Sequence, residues 1–211
     1  EYLQHYAPFL PGEWLRGLTR VHMRLMLGGV RELEATRKGK YHVLSVETEA
    51  KLEDDGKTIF TGRVDRIDHV EGLGPVVIDY KTSASLPKTA ASILAGIEND
   101  RDYWQVVIYA ALAGALGHNA QAFVYYVVPP GEEVNAVGLQ FAAGNVPHVI
   151  PGGGRYSRYD PMPATVVQDV LGDALKIHAN ILAGASAYAR TEHLKQCENC
   201  HFTTVCRRNA Q

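Results

Sequence analysis

The sequence has few cysteines, no long apolar run and little net charge, and each of these shortages excludes a class of protein. Only three of the 211 residues are cysteine, and all three lie within the last fifteen positions. A secreted disulfide scaffold uses more cysteines and uses them in pairs. No apolar run reaches the ~18 residues of a membrane-spanning helix, and the first residues lack the basic and apolar segments of a signal peptide. We therefore expect a cytoplasmic protein with no membrane partner.

The charge and composition further restrict the possible functions and the number of domains. Its formal net charge of −2 is not the basic excess that many nucleic-acid-binding domains carry. It contains no Gly-x-x-x-x-Gly-Lys-Ser/Thr phosphate loop, so an ATP-driven motor of that type is not expected within it. Hydrophobic residues make up 46% and charged residues 21%, and we expect one domain over residues 1–211. The first residue is not Met, so we also expect a fragment of a longer protein.

Carboxylates and a lysine stand close together on two neighbouring predicted strands. Asp79 and Lys81 are two apart on an apolar run, and side chains two apart on a strand share a face. Asp65 lies one hairpin earlier. These residues and Asp68 would form surface ion pairs if the strand ends were exposed, but isolated charges on a core strand are costly. Two converging carboxylates are typical of a magnesium or manganese site. The ammonium can orient a water or stabilise charge on a phosphate.

Hydrophobic periodicity predicts an α/β fold with a mixed central sheet flanked by helices. Three strands would form a meander, followed by a helix and another strand, with an additional edge strand. Gly62, inside the second strand, indicates a bulge or a close backbone approach. The predicted strands are 41–53, 58–70, 75–81, 121–128 and 134–141; the predicted helices are 13–35, 88–97, 101–116 and 164–183; residues 142–163 form a Gly/Pro-rich, flexible loop.

Two of the helices carry specific expectations. The clearest is 101–116, which Asp100 or Asp102 would cap at its start and Gly117 would end. The first helix, 13–35, is weakened by two adjacent glycines. The prediction rests on residues that recur near helical spacing, namely Leu15, Leu18, His22, Leu25, Gly29 and Leu33.

Four motifs, in this order, resemble a known family. They are Gly62–Asp68, Ile78–Thr82, Gln105–Ala110 and Cys197-x-x-Cys200-x5-Cys206. Together they resemble the RecB-type nuclease domain, the branch of the PD-(D/E)xK superfamily at the C-terminal end of RecB and AddB helicase–nucleases. They are also similar to the CRISPR-associated adaptation nucleases. The resemblance runs from about Glu47 to Arg207 and implies a restriction-endonuclease-like core.

The resemblance implies roles for the residues of the second motif and its neighbours. Asp65 and Asp79 would be the metal-binding acids, with Asp79 standing where many relatives have Glu. The Tyr80 carbonyl would be a further metal ligand. Lys81 would be the catalytic lysine that positions the attacking water. The products of phosphodiester hydrolysis would carry 5′-phosphates.

The helix and the upstream residues receive less definite roles. Gln105 and Tyr109, one turn apart, would flank the site, although plain packing at a helix edge is the alternative. Glu47 matches an acid that often opens the preceding strand, with an uncertain part in catalysis. Many relatives have a metal-binding His on an early helix, for which His22 is a weak candidate. We expect that histidine upstream of residue 1.

The last segment, residues 190–211, has metal-ligand spacing in its three cysteines, Cys197, Cys200 and Cys206. The resemblance implies three of the four thiolates of a [4Fe-4S] cluster, with the fourth upstream of this chain. The cluster would then be complete in the intact protein and absent here. The alternative is zinc completed by His193 or His201.

The sequence thus predicts a divalent-metal-dependent deoxyribonuclease of exonuclease type. Its partners would be DNA and a helicase domain or subunit, in a helicase–nuclease that acts in double-strand-break repair. One alternative is a catalytically inactive nuclease fold that binds DNA ends or a partner subunit. Another is a stand-alone CRISPR adaptation nuclease, which the missing early cysteine disfavours.

Overall fold

The computed structural model describes residues 12–36, 41–54, 56–82, 89–100, 103–130, 134–141 and 159–184. The chain divides into two compact units, Glu1–Gly172 and Asp173–Gln211. The elements are α1 (Gly12–Thr36), β1 (Tyr41–Asp54), β2 (Lys57–Val70), β3 (Gly74–Lys81), α2 (Ala90–Asp100), α3 (Gln105–Ala115), β4 (Ala122–Val127), β5 (Asn135–Gln140), β6 (Tyr159–Pro161) and α4 (Ala164–Leu182).

The strands form one mixed six-stranded sheet in the order β1-β2-β3-β4-β5-β6. The first three are an antiparallel meander, and β4 then pairs parallel with β3. Parallel neighbours need a crossover connection, which α2 and α3 provide. The predicted restriction-endonuclease-like fold is therefore confirmed. The prediction that 134–141 is an edge strand is wrong, because β6 pairs with β5 on its outer side.

Apolar side chains cover both faces of the sheet, which explains why β3 and β4 read as continuous apolar runs. On one face, α2 and α3 pack over residues such as Ile67 and Val77. On the other face, Leu33 of α1 joins Val76 and Ile78 in a second buried cluster. Within β3, alternate residues therefore face different helices. This alternation places the two polar networks described below on opposite faces of the sheet.

Two glycines allow helices to approach the sheet closely. A Cβ on Gly62 would lie 2.8 Å from Cδ1 of Leu112 on α3, so the prediction of a close approach at Gly62 is confirmed. A Cβ on Gly29 would lie 2.6 Å from the Cγ1 atoms of both Val128 and Val134. The adjacent glycines do not interrupt α1; one of them lets the helix contact the sheet.

The predicted helix over 13–35 is present, but only its last part is buried against the sheet. Gly29 and Leu33 are buried, but Leu18 and Leu25 are 49% and 47% exposed. His22 is exposed as well. The amphipathic pattern extends further along the helix than the sheet that covers it.

The boundaries around α3 also differ from the expectation. The helix begins at Gln105, and Trp104 is its N-cap residue without a side-chain cap. Asp100 is instead the last residue of α2, and Asp102 lies outside the described residues. The C-terminal expectation is confirmed: the chain leaves the helix at Gly117 with φ +85°, a conformation that glycine adopts without strain.

Some predicted segments lie partly or wholly outside the described residues. Of the Gly/Pro loop, residues 142–158 are not described, while the rest includes β6. The cysteine segment 190–211 is not described, so the metal-binding roles of its three cysteines and two histidines stay predictions. None of the described helices is long and apolar enough to cross a membrane.

Candidate active site

The site forms where the β2–β3 ladder opens. The two strands pair from Val70↔Gly74 up to Arg66↔Ile78. The next residues opposite each other in this register are Asp65 and Asp79. The backbone pairing of β2 with β3 stops before these two residues. The Asp65 carboxylate instead accepts a hydrogen bond at 3.0 Å from the backbone N–H of Tyr80. The two predicted acids are thus brought to one face of the sheet.

Asp79, Lys81 and Gln105 form a closed ring of polar contacts. The Lys81 ammonium lies 2.7 Å from Oδ2 of Asp79 and donates to Oε1 of Gln105 at 2.8 Å. The amide nitrogen of Gln105 donates to Oδ1 of Asp79 at 3.0 Å. Gln105 uses its donor and its acceptor on different partners, which fixes the orientation of its amide. The first residue of α3 therefore holds both groups of the β3 motif.

The environment of Asp79 opposes its negative charge. Its side chain is 2% exposed. Burial raises the pKa of Asp79, the Lys81 ammonium lowers it, and the charge of Asp65 raises it again, leaving the pKa above its ordinary value. The Asp65 carboxylate binds the N–H of Tyr80, the residue after Asp79, and this contact places the two acids near each other.

Aromatic side chains lie beside the ring. The Lys81 Nζ lies 5.6 Å from the ring centroid of Tyr125, within the range of a cation–π contact. Burial, followed by Asp79, Tyr103 and Tyr109, raises the pKa of Tyr125, so its hydroxyl stays protonated. Tyr109 packs against the buried cluster that contains Tyr125, one helical turn from Gln105, whose amide contacts Asp79.

A second polar network occupies the opposite face of β3. Arg66 binds both carboxylate oxygens of Asp68, at 2.7 and 2.8 Å. It also donates to Glu34 at 2.9 Å and to the Tyr80 hydroxyl at 3.1 Å. Burial raises the pKa of Tyr80, and Arg66 lowers it, with a net increase. Tyr80 is thus anchored by its side chain on one face, while its backbone N–H binds Asp65 on the other.

The residues present fit a divalent cation. Oδ2 of Asp79 is buried and has no aligned hydrogen-bond donor within the described part of the chain, although the Lys81 ammonium is close to it as an ion pair. A cation between Asp65 and Asp79 would replace their repulsion by attraction. The described residues contain no group of three or more His, Cys, Asp or Glu side chains that could hold a metal. The protein donors would therefore be these two carboxylates, with the Tyr80 carbonyl as the third predicted ligand.

Glu47 and His22 do not join the site. Glu47 forms an exposed ion pair with Arg63 at 2.9 Å. Its backbone has φ +47°, a strained value for a residue with a side chain, and it lies between the pairs Val46↔Arg66 and Thr48↔Val64 of the β1–β2 ladder. His22 projects from the exposed part of α1. This exposed position agrees with its description above as a weak candidate for a metal ligand.

The chain belongs to the PD-(D/E)XK nuclease superfamily, whose model matches residues 1–207. Members of this superfamily are nucleases, hydrolases that generally use divalent metals such as Mg²⁺. No curated protein matches the chain. Among solved structures it is similar to one described as the crystal structure of SSO0001, with 18% identity, a TM-score of 0.40, and coverage of 94% of this chain and 71% of that chain. The match is at the level of the superfamily, so the RecB/AddB branch stays a prediction.

Sequence reasoning did not foresee the Arg66 network or the contact with Tyr125. Arg66 and Asp68 are two apart on β2, and this spacing alone places them on the face opposite Asp65. It thus signalled that Asp68 belongs to a different cluster. No short-range pattern signals the contact of Lys81 with Tyr125, because it depends on the parallel pairing of β3 with β4.

Proposed function

We propose that this chain is a divalent-metal-dependent deoxyribonuclease, the exonuclease module of a helicase–nuclease that repairs double-strand breaks in the cytoplasm. The observation that supports it is the convergence of Asp65 with the Asp79–Lys81–Gln105 ring at the open end of the β2–β3 ladder. This is an oxygen-rich site with an adjacent cation, on a domain of a nuclease superfamily. The exonuclease type and the helicase partner rest on the sequence resemblance.

The chemistry follows from the side chains. A bound Mg²⁺ or Mn²⁺ would lower the pKa of a water and neutralise charge that develops on the phosphate. Lys81 supplies a positive charge at the same place, and it is held there by Gln105. Gln105 also orients Asp79, and Tyr109 packs against the cluster that contains Tyr125, the tyrosine in contact with Lys81. No covalent intermediate with the protein is required, because water attacks the phosphorus directly.

Digestion of end-labelled single- and double-stranded DNA with Mg²⁺, Mn²⁺ or EDTA tests the proposal. We expect cleavage with either metal, none with EDTA, and loss in Asp79→Asn and Lys81→Met. Arg63→Gln, which removes a charge from an exposed ion pair on the same sheet, is the matched control. Metal-independent cleavage, or cleavage that survives both substitutions, would reject the assignment.

An inactive nuclease fold that binds DNA ends or a partner subunit is the second candidate. It is favoured by the lack of a third acidic, histidine or cysteine ligand among the described residues. DNA binding without cleavage in any metal, by a protein that is folded, would support it over the first proposal. A stand-alone adaptation nuclease would act without a helicase.

We further propose that Cys197, Cys200 and Cys206 bind a [4Fe-4S] cluster in the intact protein, with zinc as the alternative. The proposal rests on their spacing and on the family resemblance, because these residues lie outside the described part of the chain. Brown colour with sulfide and iron in the intact protein supports the cluster. Colourless protein with one zinc supports a site completed by His193 or His201.

A further inference from the structure

The N-terminal half of α1 extends away from the sheet. Every side chain described between residues 13 and 25 is exposed, whereas Gly29 and Leu33 contact the sheet. We call residues 13–25 the α1 arm. Packing against the sheet does not stabilise this part of the helix, so packing does not explain which side chains it carries.

α1 lies on the face of the sheet opposite the candidate site and runs toward the Lys81 end of β3. Glu34 contacts Arg66, which is paired with Ile78 in the middle of β3. Gly29, earlier in the helix, approaches Val128, whose N–H donates to the carbonyl of Lys81 at 2.7 Å. Passing from Glu34 to Gly29 therefore leads toward the Lys81 end of β3. At ~1.5 Å per residue, the arm itself is about 20 Å long.

Three arginines form a stripe along the α1 arm. Arg16, Arg20 and Arg24 are each four residues apart, so they lie on one side of the helix. All three are exposed, and none forms an ion pair with any of the described residues. Like charges at this spacing weaken a helix. Repulsion among the three arginines therefore destabilises the helix, and no acidic side chain among the described residues offsets it. The chain as a whole has a formal net charge of −2.

An apolar stripe with an exposed aromatic residue lies beside the arginines. Trp14, Leu18, Val21 and Leu25 follow the spacing of one helix face, and Trp14 is 68% exposed. Basic side chains that follow a backbone, next to an aromatic ring on which bases stack, are typical of single-strand binding surfaces. An apolar face alone would fit a protein partner equally well. The unpaired arginines decide in favour of a polyanion.

We propose that the α1 arm binds the phosphate backbone of a single-stranded nucleic acid through Arg16, Arg20 and Arg24, with Trp14 as a stacking platform. Because α1 packs on the face of the sheet opposite Asp79 and Lys81, the strand would pass around the Lys81 end of β3 between the site and the arm. This inference deepens the proposed nuclease function and rests on it for the identity of the bound polymer.

The test compares the wild-type chain with Arg16→Gln/Arg20→Gln/Arg24→Gln. Binding of a labelled single-stranded DNA of about 15 nucleotides is measured in EDTA over a series of salt concentrations. We expect the triple variant to bind about tenfold or more weakly near 0.1 M salt. Its slope of log K against log salt should fall by about two, since each lost phosphate contact removes ~0.7.

Two controls separate a charge effect from a structural one. The charge-preserving variant Arg16→Lys/Arg20→Lys/Arg24→Lys should keep the wild-type salt slope, because phosphate contacts depend on charge. Arg31→Gln removes an exposed charge from the part of α1 that lies over the sheet and should leave binding within about twofold. Circular dichroism establishes that all variants retain the helix.

The outcomes distinguish this inference from the proposed function. An unchanged affinity and salt slope in the glutamine variant overturns the inference, even if the chain cuts DNA. A flattened slope in a chain that cuts no DNA with any metal upholds the arm and rejects the nuclease proposal. Self-association that Leu18→Asp abolishes, with DNA binding unaffected by the arginine substitutions, assigns the arm to protein contact and overturns the inference.

Discussion

Replacing Arg66 by Met tests whether the network behind β3 supports the site. The guanidinium binds both oxygens of Asp68 and also contacts Glu34 and the Tyr80 hydroxyl. Burial lowers the pKa of Arg66, but the hydrogen bonds to Asp68 and Tyr80 raise it above its ordinary value, so the group stays charged. The substitution keeps an unbranched side chain of similar length and removes only the polar head.

The expected loss of stability follows from the burial of the partner. Asp68 is 0% exposed and Arg66 is 13% exposed, so solvent screens this pair little. Removing one partner of a buried ion pair costs about 3–5 kcal/mol, because it leaves an uncompensated charge. Replacing both partners by apolar residues is often close to neutral. Arg66→Met/Asp68→Leu should therefore recover at least half of the loss.

Urea denaturation, followed by circular dichroism, measures these differences. Arg63→Met is the matched control on the same strand, because Arg63 and its partner Glu47 are 63% and 56% exposed. Such an exposed pair contributes about 0–1 kcal/mol. A loss of less than 1 kcal/mol in Arg66→Met, or a double variant less stable than the single one, would refute the reasoning.

Three further predictions concern the site and its support. Lys81→Met should lower the rate of DNA cleavage by about 100-fold or more, and Gln105→Met should lower it less, since it acts by orienting Lys81 and Asp79. Because the pKa of Asp79 is raised above 3.8, its stabilising contribution is present below that pH and is lost as pH rises through the raised value. Urea midpoints in EDTA should show this, and Asp79→Asn should abolish it. Gly62→Val should destabilise the fold by about 1–3 kcal/mol by colliding with Leu112, measured by thermal denaturation.

The sequence predicted the sheet well because its strands carry strong local signals. The alternation within β1 and the apolar run of β3 identified the meander, and the spacing within β3 identified the face shared by Asp79 and Lys81. The collinear motifs placed Gln105 near the site, and α3 begins at that residue. The helix start was misplaced because the acids at 100 and 102 suggested a cap. Tyr103 has φ +59°, a backbone turn that propensity does not reveal.

What the sequence did not predict depends on contacts distant along the chain. Side chains of β2 point to both faces of the sheet, which separates Asp65 from Asp68. Arg66 and Asp68 become part of a larger network only because α1 brings Glu34 to them. The helical pattern of α1 runs over 13–35 and does not itself show which part is buried. Only the position of the sheet shows where burial stops, near Gly29.

Calorimetric titration of the isolated chain with Mn²⁺ tests the central claim most directly, namely that Asp65 and Asp79 hold a divalent cation together. The account predicts a Mn²⁺ site in the wild-type chain whose affinity falls at least tenfold in Asp65→Asn and in Asp79→Asn, with little change in Arg63→Gln. Wild-type Mn²⁺ affinity in the Asp65→Asn/Asp79→Asn double variant would contradict it.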